Sequence, residues 1–314
     1  MNAPIIPANV RAVLRELGRE DAALLGQGGE GYVFTFGDDT AVKIYHDADV
    51  PYLRSLQQLQ AHVTERCLPF ATPQILEIGT ALGTHYTIEP RLTGMLMEEK
   101  FPAATADEKY ALLRSYHDAI TVLHGIEFPD LPYGSLVEIE PRITDVTWHG
   151  FLVRTLDYKV GLSRERLSRD VAELDGKVQL LSAVMTKVLS SVGRRSLVHA
   201  DYFVNQVLVN EANEVSAVMD ISCHAVAGDP RLDDAGTFFF EGMKGYAQEH
   251  IDFLLDLTVR DHGEAILRTN DIYRMYYCFY FSFVHDIMPD WYRTLISNLN
   301  DEDIWERLRG YLTS

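Results

Sequence analysis

At 314 residues, with 47% hydrophobic and 24% charged side chains, the chain can form one large or two modest domains with real cores, and its composition is not that of a disordered protein. Forty-six acids against 28 bases leave a formal net charge of −18, which excludes general binding to nucleic-acid phosphates and to anionic membranes. That acidity favours a cationic small substrate or serves only solubility. Cys67, Cys223 and Cys278 are widely separated and lack metal-ligand spacing, so a reducing cytoplasm is the expected compartment. The first residues lack the basic and apolar segments of a signal peptide, and no apolar run approaches membrane-spanning length.

Residues 9–17 place Val10, Val13, Leu14 and Leu17 on one helix face, and Gly18 ends the pattern. Gly26, Gly28 and Gly31, with Gly29 beside them, form a G-x-G-x-x-G between two strand-like runs. Glycines there let the backbone turn tightly and bring amides to phosphate oxygens. A turn at residues 36–40 leads into a strand, Ala41-Val42-Lys43-Ile44-Tyr45, whose lysine sits among apolar neighbours. Residues 51–66 read as a helix with Leu53, Leu56, Val63 and either Leu59 or Gln60 inward. Residues 75–79 and 85–89 read as two more strands, giving a small sheet of about five strands with one helix. Ile88-Glu89-Pro90-Arg91-Leu92-Thr93-Gly94 is a linker, so a boundary falls near residue 94, between an N-terminal part at 1–94 and a larger part at 95–314.

From there helices dominate. Thr105 to Glu108 is a capping-box pattern opening a helix to about residue 124, in which His117 and His124 read as packing or surface residues. Residues 143–161 show no clear period and receive no assignment. Val171, Leu174, Val178, Leu181, Met185 and Val188 trace a long amphipathic helix.

The most informative stretch follows. Leu197 and Val198 lead to His199 and Asp201, then a loop with Asn205 and Gln206, an apolar strand (Val207 to Val209), a turn, and a second apolar strand that ends on Asp220. Two paired strands thus hold two carboxylates on one rigid support. Gly228-Asp229-Pro230 and Asp233 come next, with Asp233 expected to cap a helix starting near residue 234 and continuing through Phe238, Phe239 and Phe240. Further helices are expected at 251–259 and 272–284, the second crowded with aromatic residues that belong in a core or, in part, line a binding pocket.

The order of these parts resembles the aminoglycoside phosphotransferase family of the protein-kinase-like superfamily, and the wording from Leu197 to Ala200 is closest to that of hygromycin B phosphotransferase. The resemblance implies an α+β, two-lobe protein-kinase-like fold: a small N-terminal antiparallel sheet plus helix, and a larger, mostly helical C-terminal lobe. It implies transfer of the γ-phosphoryl of ATP or GTP, with Mg2+, to a hydroxyl of a small molecule. Asp201 would be the catalytic base, and Asp220 a magnesium ligand. Gln206 or Asn205 would replace the family's asparagine as second ligand. Gly26, Gly28, Gly29, Gly31 and Lys43 would hold the phosphates, while the Glu89 carbonyl and Arg91 amide would face adenine. The family's helix-borne glutamate partner of the lysine has no clear counterpart, since residues 57, 58 and 60 are glutamine and Glu65 lies near the helix end. Together with the acidity, the resemblance favours a cationic acceptor such as an aminoglycoside or aminocyclitol, with Asp286, Asp290 and the acids at 301–303 as minor candidates to bind it. Choline, homoserine or sugar kinases and a non-catalytic kinase-like binding protein are the alternatives.

Overall fold

Alternating apolar residues broken by turn formers build the N-terminal lobe as a sheet. In the computed structural model, which describes residues 6–240 and 244–313, helix α1 (Ala8–Glu16) precedes β1 (Leu24–Gln27), β2 (Gly31–Thr35) and β3 (Thr40–Tyr45). After helix α2 (Val50–Thr64) come β4 (Glu77–Ala81) and β5 (Thr84–Pro90). The five strands form one antiparallel sheet in the order β1-β2-β3-β5-β4. Side chains alternate along a strand. Val42 and Ile44 of β3 therefore join Phe34 and Ile88 in a small core beneath Val10, Val13 and Leu14 of α1, which puts Lys43 on the opposite face with Ala41 and Tyr45.

Helix α2 opens on Asp49, whose carboxylate accepts from the Tyr52 amide at 2.8 Å. Its apolar face, with Leu56, Leu59 and Val63, packs into the larger core of the C-terminal part rather than into the small core under α1. Gln60, only 4% exposed, locks it there: its amide oxygen accepts from the Ile75 N–H at 3.0 Å and its amide nitrogen donates to the Ile221 carbonyl at 3.3 Å. The segment after α2 is stitched across the lobes as well. Ala71 N–H donates to Ser216 at 2.9 Å, and its carbonyl accepts from Val218 at 3.0 Å.

The larger part contains β6 (Met95–Leu96), α3 (Met97–Lys100), α4 (Ala106–Leu123), β7 (Tyr133–Ser135), β8 (Thr144–Asp145), α5 (Trp148–Asp170) and α6 (Leu174–Val188). It continues with β9 (Ser196–Val198), β10 (Val207–Val209), β11 (Val215–Val218), β12 (Val226–Gly228) and α7 (Arg231–Asp234). The last helices are α8 (Gln248–His262), α9 (Ile266–Tyr280), α10 (Pro289–Leu299) and α11 (Glu302–Thr313). The short strands form two small sheets, ordered β11-β10-β6 and β8-β7-β12-β9, on a mostly helical body.

The stretch without a clear period forms most of the long helix α5. Its buried face carries Thr155 and Ser163 between Phe151, Leu152, Leu156, Val160 and Leu167, so small polar residues mask the apolar stripe. Residues 235–240, expected as helix continuing through the phenylalanines, instead form 3-10 turns after the single turn of α7, with Phe239 and Phe240 fully buried. Among the described residues no helix is long and apolar enough to cross a membrane.

Candidate active site

Strand β9 is held antiparallel to β12, with Val198 opposite Val226, and delivers His199, Ala200 and Asp201 to the cleft. The loop beyond the strand has no ladder to fix it. Asp233 does so instead: its carboxylate accepts from the amides of His199 at 2.9 Å and Ala200 at 2.8 Å, and contacts His124 Nε2 at 3.0 Å. The Asp233 side chain is fully buried. It anchors the loop, where the sequence had it capping a helix. Ala200 is thereby held at φ 58°, a left-handed conformation that alanine adopts only at a cost. His199 Nε2 contacts the Met219 carbonyl at 2.8 Å, tying the loop to the end of β11.

Hairpin β10–β11 brings Asp220 to the same place. Val207 pairs with Val218, and Met219 N–H donates to Gln206 O at 2.8 Å. Asp220 follows in a left-handed conformation at φ 54°. Gln206 turns its amide nitrogen toward Asp201 Oδ2 at 3.3 Å, leaving its amide oxygen as a hard donor. Asn205 is exposed on the 3-10 turn, so of the two candidates the structure brings only Gln206 to Asp201.

From the N-terminal lobe, Lys43 Nζ reaches to 4.0 Å from Asp220 Oδ1. Its close partner is Glu30 of the glycine loop, at 2.5 Å. The other oxygen of Glu30 accepts from the Tyr52 hydroxyl on α2, also at 2.5 Å. Glu65, the weak candidate on α2, is exposed at the C-terminal end of the helix. The glycines around Glu30 have different reasons to be glycine. None of Gly26, Gly28, Gly29 and Gly31 has positive φ. A Cβ at Gly31 would stand 2.1 Å from the Ile44 carbonyl, so close packing of β2 on β3 requires glycine there, whereas Gly26, Gly28 and Gly29 face open space.

The two aspartates are tuned in opposite directions. Burial and the neighbouring Asp220 hold Asp201 well above the usual carboxylate range. Burial would raise Asp220 too, but Lys43, His199 and His224 outweigh it and hold Asp220 low. Burial alone would lower Lys43, yet Tyr45, Glu30, Asp220 and Glu89 keep it well above its ordinary value and therefore charged. The cleft thus presents one carboxylate whose affinity for a proton is raised, one whose affinity is lowered, and one lysine held in its charged form.

Magnesium fits this donor set. Asp220 and the Gln206 amide offer hard oxygens, and magnesium habitually completes its shell with water and substrate phosphates. Among the described residues no group of three or more His, Cys, Asp or Glu forms a self-sufficient metal cage.

The sequence profile of the phosphotransferase enzyme family matches residues 21–247. The chain belongs to that family. It is a phosphotransferase, and its two lobes are the protein-kinase-like α+β fold that the sequence implies. No curated protein matches the sequence. Solved structures similar to this chain include the GDP complex of wild-type aminoglycoside 2'-phosphotransferase-IIIa (14% identity, 95% of this chain and 98% of that chain, TM-score 0.64). The streptomycin-ATP ternary complex of APH(2")-IIa is similar too (14% identity, 95% and 97% covered, TM-score 0.62). So is macrolide 2'-phosphotransferase type I (16% identity, 95% and 99% covered, TM-score 0.59). At these identities the likeness is one of fold.

Within this phosphotransferase, the structure brings Lys43, Asp201, Gln206 and Asp220 together from three separate segments: β3, the β9–β10 loop and the end of the β10–β11 hairpin. One expectation needs correction: the Arg91 amide donates to the Asp39 carbonyl at 2.8 Å. The β3–β5 ladder, in which Thr40 opposes Pro90, extends to Arg91 and occupies the N–H that was to face adenine. The Glu89 side chain accepts from Thr87 Oγ1 at 2.6 Å. Glu30 and Tyr52 were missed. The only signal was an acid set between Gly29 and Gly31, which does not reveal the direction its side chain takes.

Proposed function

We propose that this phosphotransferase is a small-molecule kinase that transfers the γ-phosphoryl group of ATP or GTP to a hydroxyl acceptor in the cleft, with residues 1–94 as the nucleotide-binding lobe and 95–314 as the catalytic and acceptor-binding lobe. The observation that carries it is the convergence of Lys43, Asp220, Gln206 and Asp201. Phosphoryl transfer needs chiefly positioning and charge neutralisation, and these residues supply both. Lys43 steadies the phosphates on the N-terminal side, beside the amides of the loop containing Gly26, Gly28, Gly29 and Gly31. Asp220 and Gln206 hold magnesium, which when bound neutralises charge on the phosphates. Asp201 orients the acceptor hydroxyl and takes its proton. The Glu89 carbonyl serves the base. Three free thiols accord with a reducing cytoplasm.

The opposed tuning of the two aspartates supports catalysis over a non-catalytic binding role. The decisive experiment is magnesium-dependent nucleotide turnover against aminoglycosides, aminocyclitols, choline, homoserine, sugars and sugar acids, with Asp201→Ala as control. Acceptor-dependent turnover that disappears in Asp201→Ala while nucleotide binding persists supports the reading. Equal turnover in the variant rules out Asp201 as base.

A further inference from the structure

The catalytic assignment leaves one wall of the C-terminal lobe unused. On α5, half-buried Lys159 places Nζ 4.4 Å from the centre of the Tyr280 ring and 4.8 Å from that of Phe283. Among the described residues no carboxylate lies within 4.0 Å of it. The Tyr280 hydroxyl contacts His224 Nδ1 at 2.8 Å, and the His224 ring also packs on Phe281, 5.8 Å between centres. His224 lies on the segment leaving Asp220, so this wall runs from the aspartates outward. Burial and Lys159 push His224 down to about 4.

The nucleotide side of the aspartates belongs to Lys43 and the glycine loop. Ala200, next to Asp201, lines one small cavity with Phe151 of α5 and Tyr276, Tyr277 and Tyr280 of α9, so an acceptor that reaches Asp201 opposite Lys43 meets α5 and α9. Three of the five acids expected to receive a cationic acceptor already pair with basic side chains. Asp286 pairs with Arg166 at 3.5 Å and His285 at 2.9 Å, Asp290 with Arg293, and Glu302 with Lys177 at 2.9 Å and Arg309 at 3.4 Å. Ring faces hold an ammonium in position but cancel none of its formal charge. A single lysine without guanidinium neighbours matches one negative charge better than a phosphate dianion.

Resting on the kinase reading above, we propose that the acceptor is a polyhydroxy compound bearing a carboxylate, which Lys159 receives while Tyr280 and Phe283 hold the ammonium in place. Tyr280 and His224 then hydrogen-bond the acceptor's hydroxyls. In the reaction the acceptor O–H gives its proton to Asp201 as its oxygen bonds the γ-phosphorus. The bond from that phosphorus to the β,γ-bridging oxygen breaks, and the nucleoside diphosphate leaves with the electron pair. The carboxylate is unchanged.

The test uses the full chain with magnesium and ATP or GTP, comparing D-gluconate and D-glucuronate with D-glucosamine and kanamycin by nucleoside diphosphate release. Turnover is expected with a carboxylated compound in preference to the aminated ones. Lys159→Met should raise the acceptor KM about tenfold or more, Lys159→Arg should recover most of it, and Lys159→Glu should shift preference toward the aminated compounds. Calorimetric binding of magnesium-nucleotide by each variant verifies that the cleft is folded. Preference of the wild type for the aminated compounds, no turnover of either carboxylated compound, or a KM change under about twofold in Lys159→Met overturns the proposal and leaves the kinase reading standing. Loss of magnesium-nucleotide binding by the wild type overturns both.

Discussion

Asp233→Asn is expected to cost both stability and catalysis, for separable reasons. The native carboxylate accepts from two backbone amides through different oxygens, His199 to Oδ2 and Ala200 to Oδ1, while His124 also meets Oδ2. An asparagine oxygen can replace only one of those atoms. With the oxygen left toward His199 and His124, the new NH2 group opposes the Ala200 N–H, two donors face to face in a site without solvent. A stranded buried donor costs about 1–3 kcal/mol, and loss of charge assistance in the remaining bonds about 1 kcal/mol more. The sum, about 2–4 kcal/mol, should lower the urea midpoint by about 1 M at a slope of about 3 kcal/mol per M. The second effect concerns Ala200, whose left-handed conformation the Asp233 bond helps to hold. Released, that residue relaxes and carries Asp201 with it, and a displacement of about 1 Å should lower kcat about 100-fold. Urea titration and steady-state kinetics on the same preparation measure the two. A variant that is destabilised by this amount yet retains full kcat would refute the claim that Asp233 sets the position of Asp201.

Asp201→Asn should lower turnover by about 100-fold to 10,000-fold while raising stability at neutral pH. Between about 3.9 and its raised folded value Asp201 holds a proton in the folded chain that the unfolded chain releases, so this group's contribution to stability falls as pH rises through that window, above which the carboxylate is free to act as base. The variant should lose that part of the pH dependence in thermal melts; an unchanged profile would count against the burial argument. Glu30→Gln should tighten magnesium-free nucleotide binding by calorimetry, because it removes a carboxylate that lies on Lys43 and repels the phosphates; weaker binding would mean that the carboxylate chiefly positions the lysine. Thiol labelling of the native protein should modify exposed Cys67 first. Cys223 is pushed up to about 12 by burial, Glu30 and Asp220, and buried Cys278 is raised too, so rapid labelling of either would contradict the cleft geometry.

The parts of the protein legible in the sequence were those written in local pattern or in obligatory chemistry. Alternation and turn residues sufficed for the five-strand sheet, and Asp201 and Asp220 were visible because two acids bracketing an apolar hairpin have few structural reasons to be there. What stayed hidden depends on partners distant in the chain. Glu30 and Lys43 meet across a strand pair, Lys159 meets Tyr280 between helices α5 and α9, and no local period announces either contact. Helix α5 escaped notice because Thr155 and Ser163 occupy core positions that a hydropathy pattern counts as polar. Arg91 was misread for a different reason. A motif indicates which residue stands at a hinge, while the hydrogen-bond ladder determines whether its amide is still free.

The buried amide of Gln60 has a consequence for the cleft. It bridges Ile75 and Ile221, so helix α2 cannot swing outward without leaving two main-chain groups unmatched and displacing the residue next to Asp220. The bond couples the posture of α2 to the segment that carries Asp220, so a substitution at residue 60 is felt at the cleft as well as in stability.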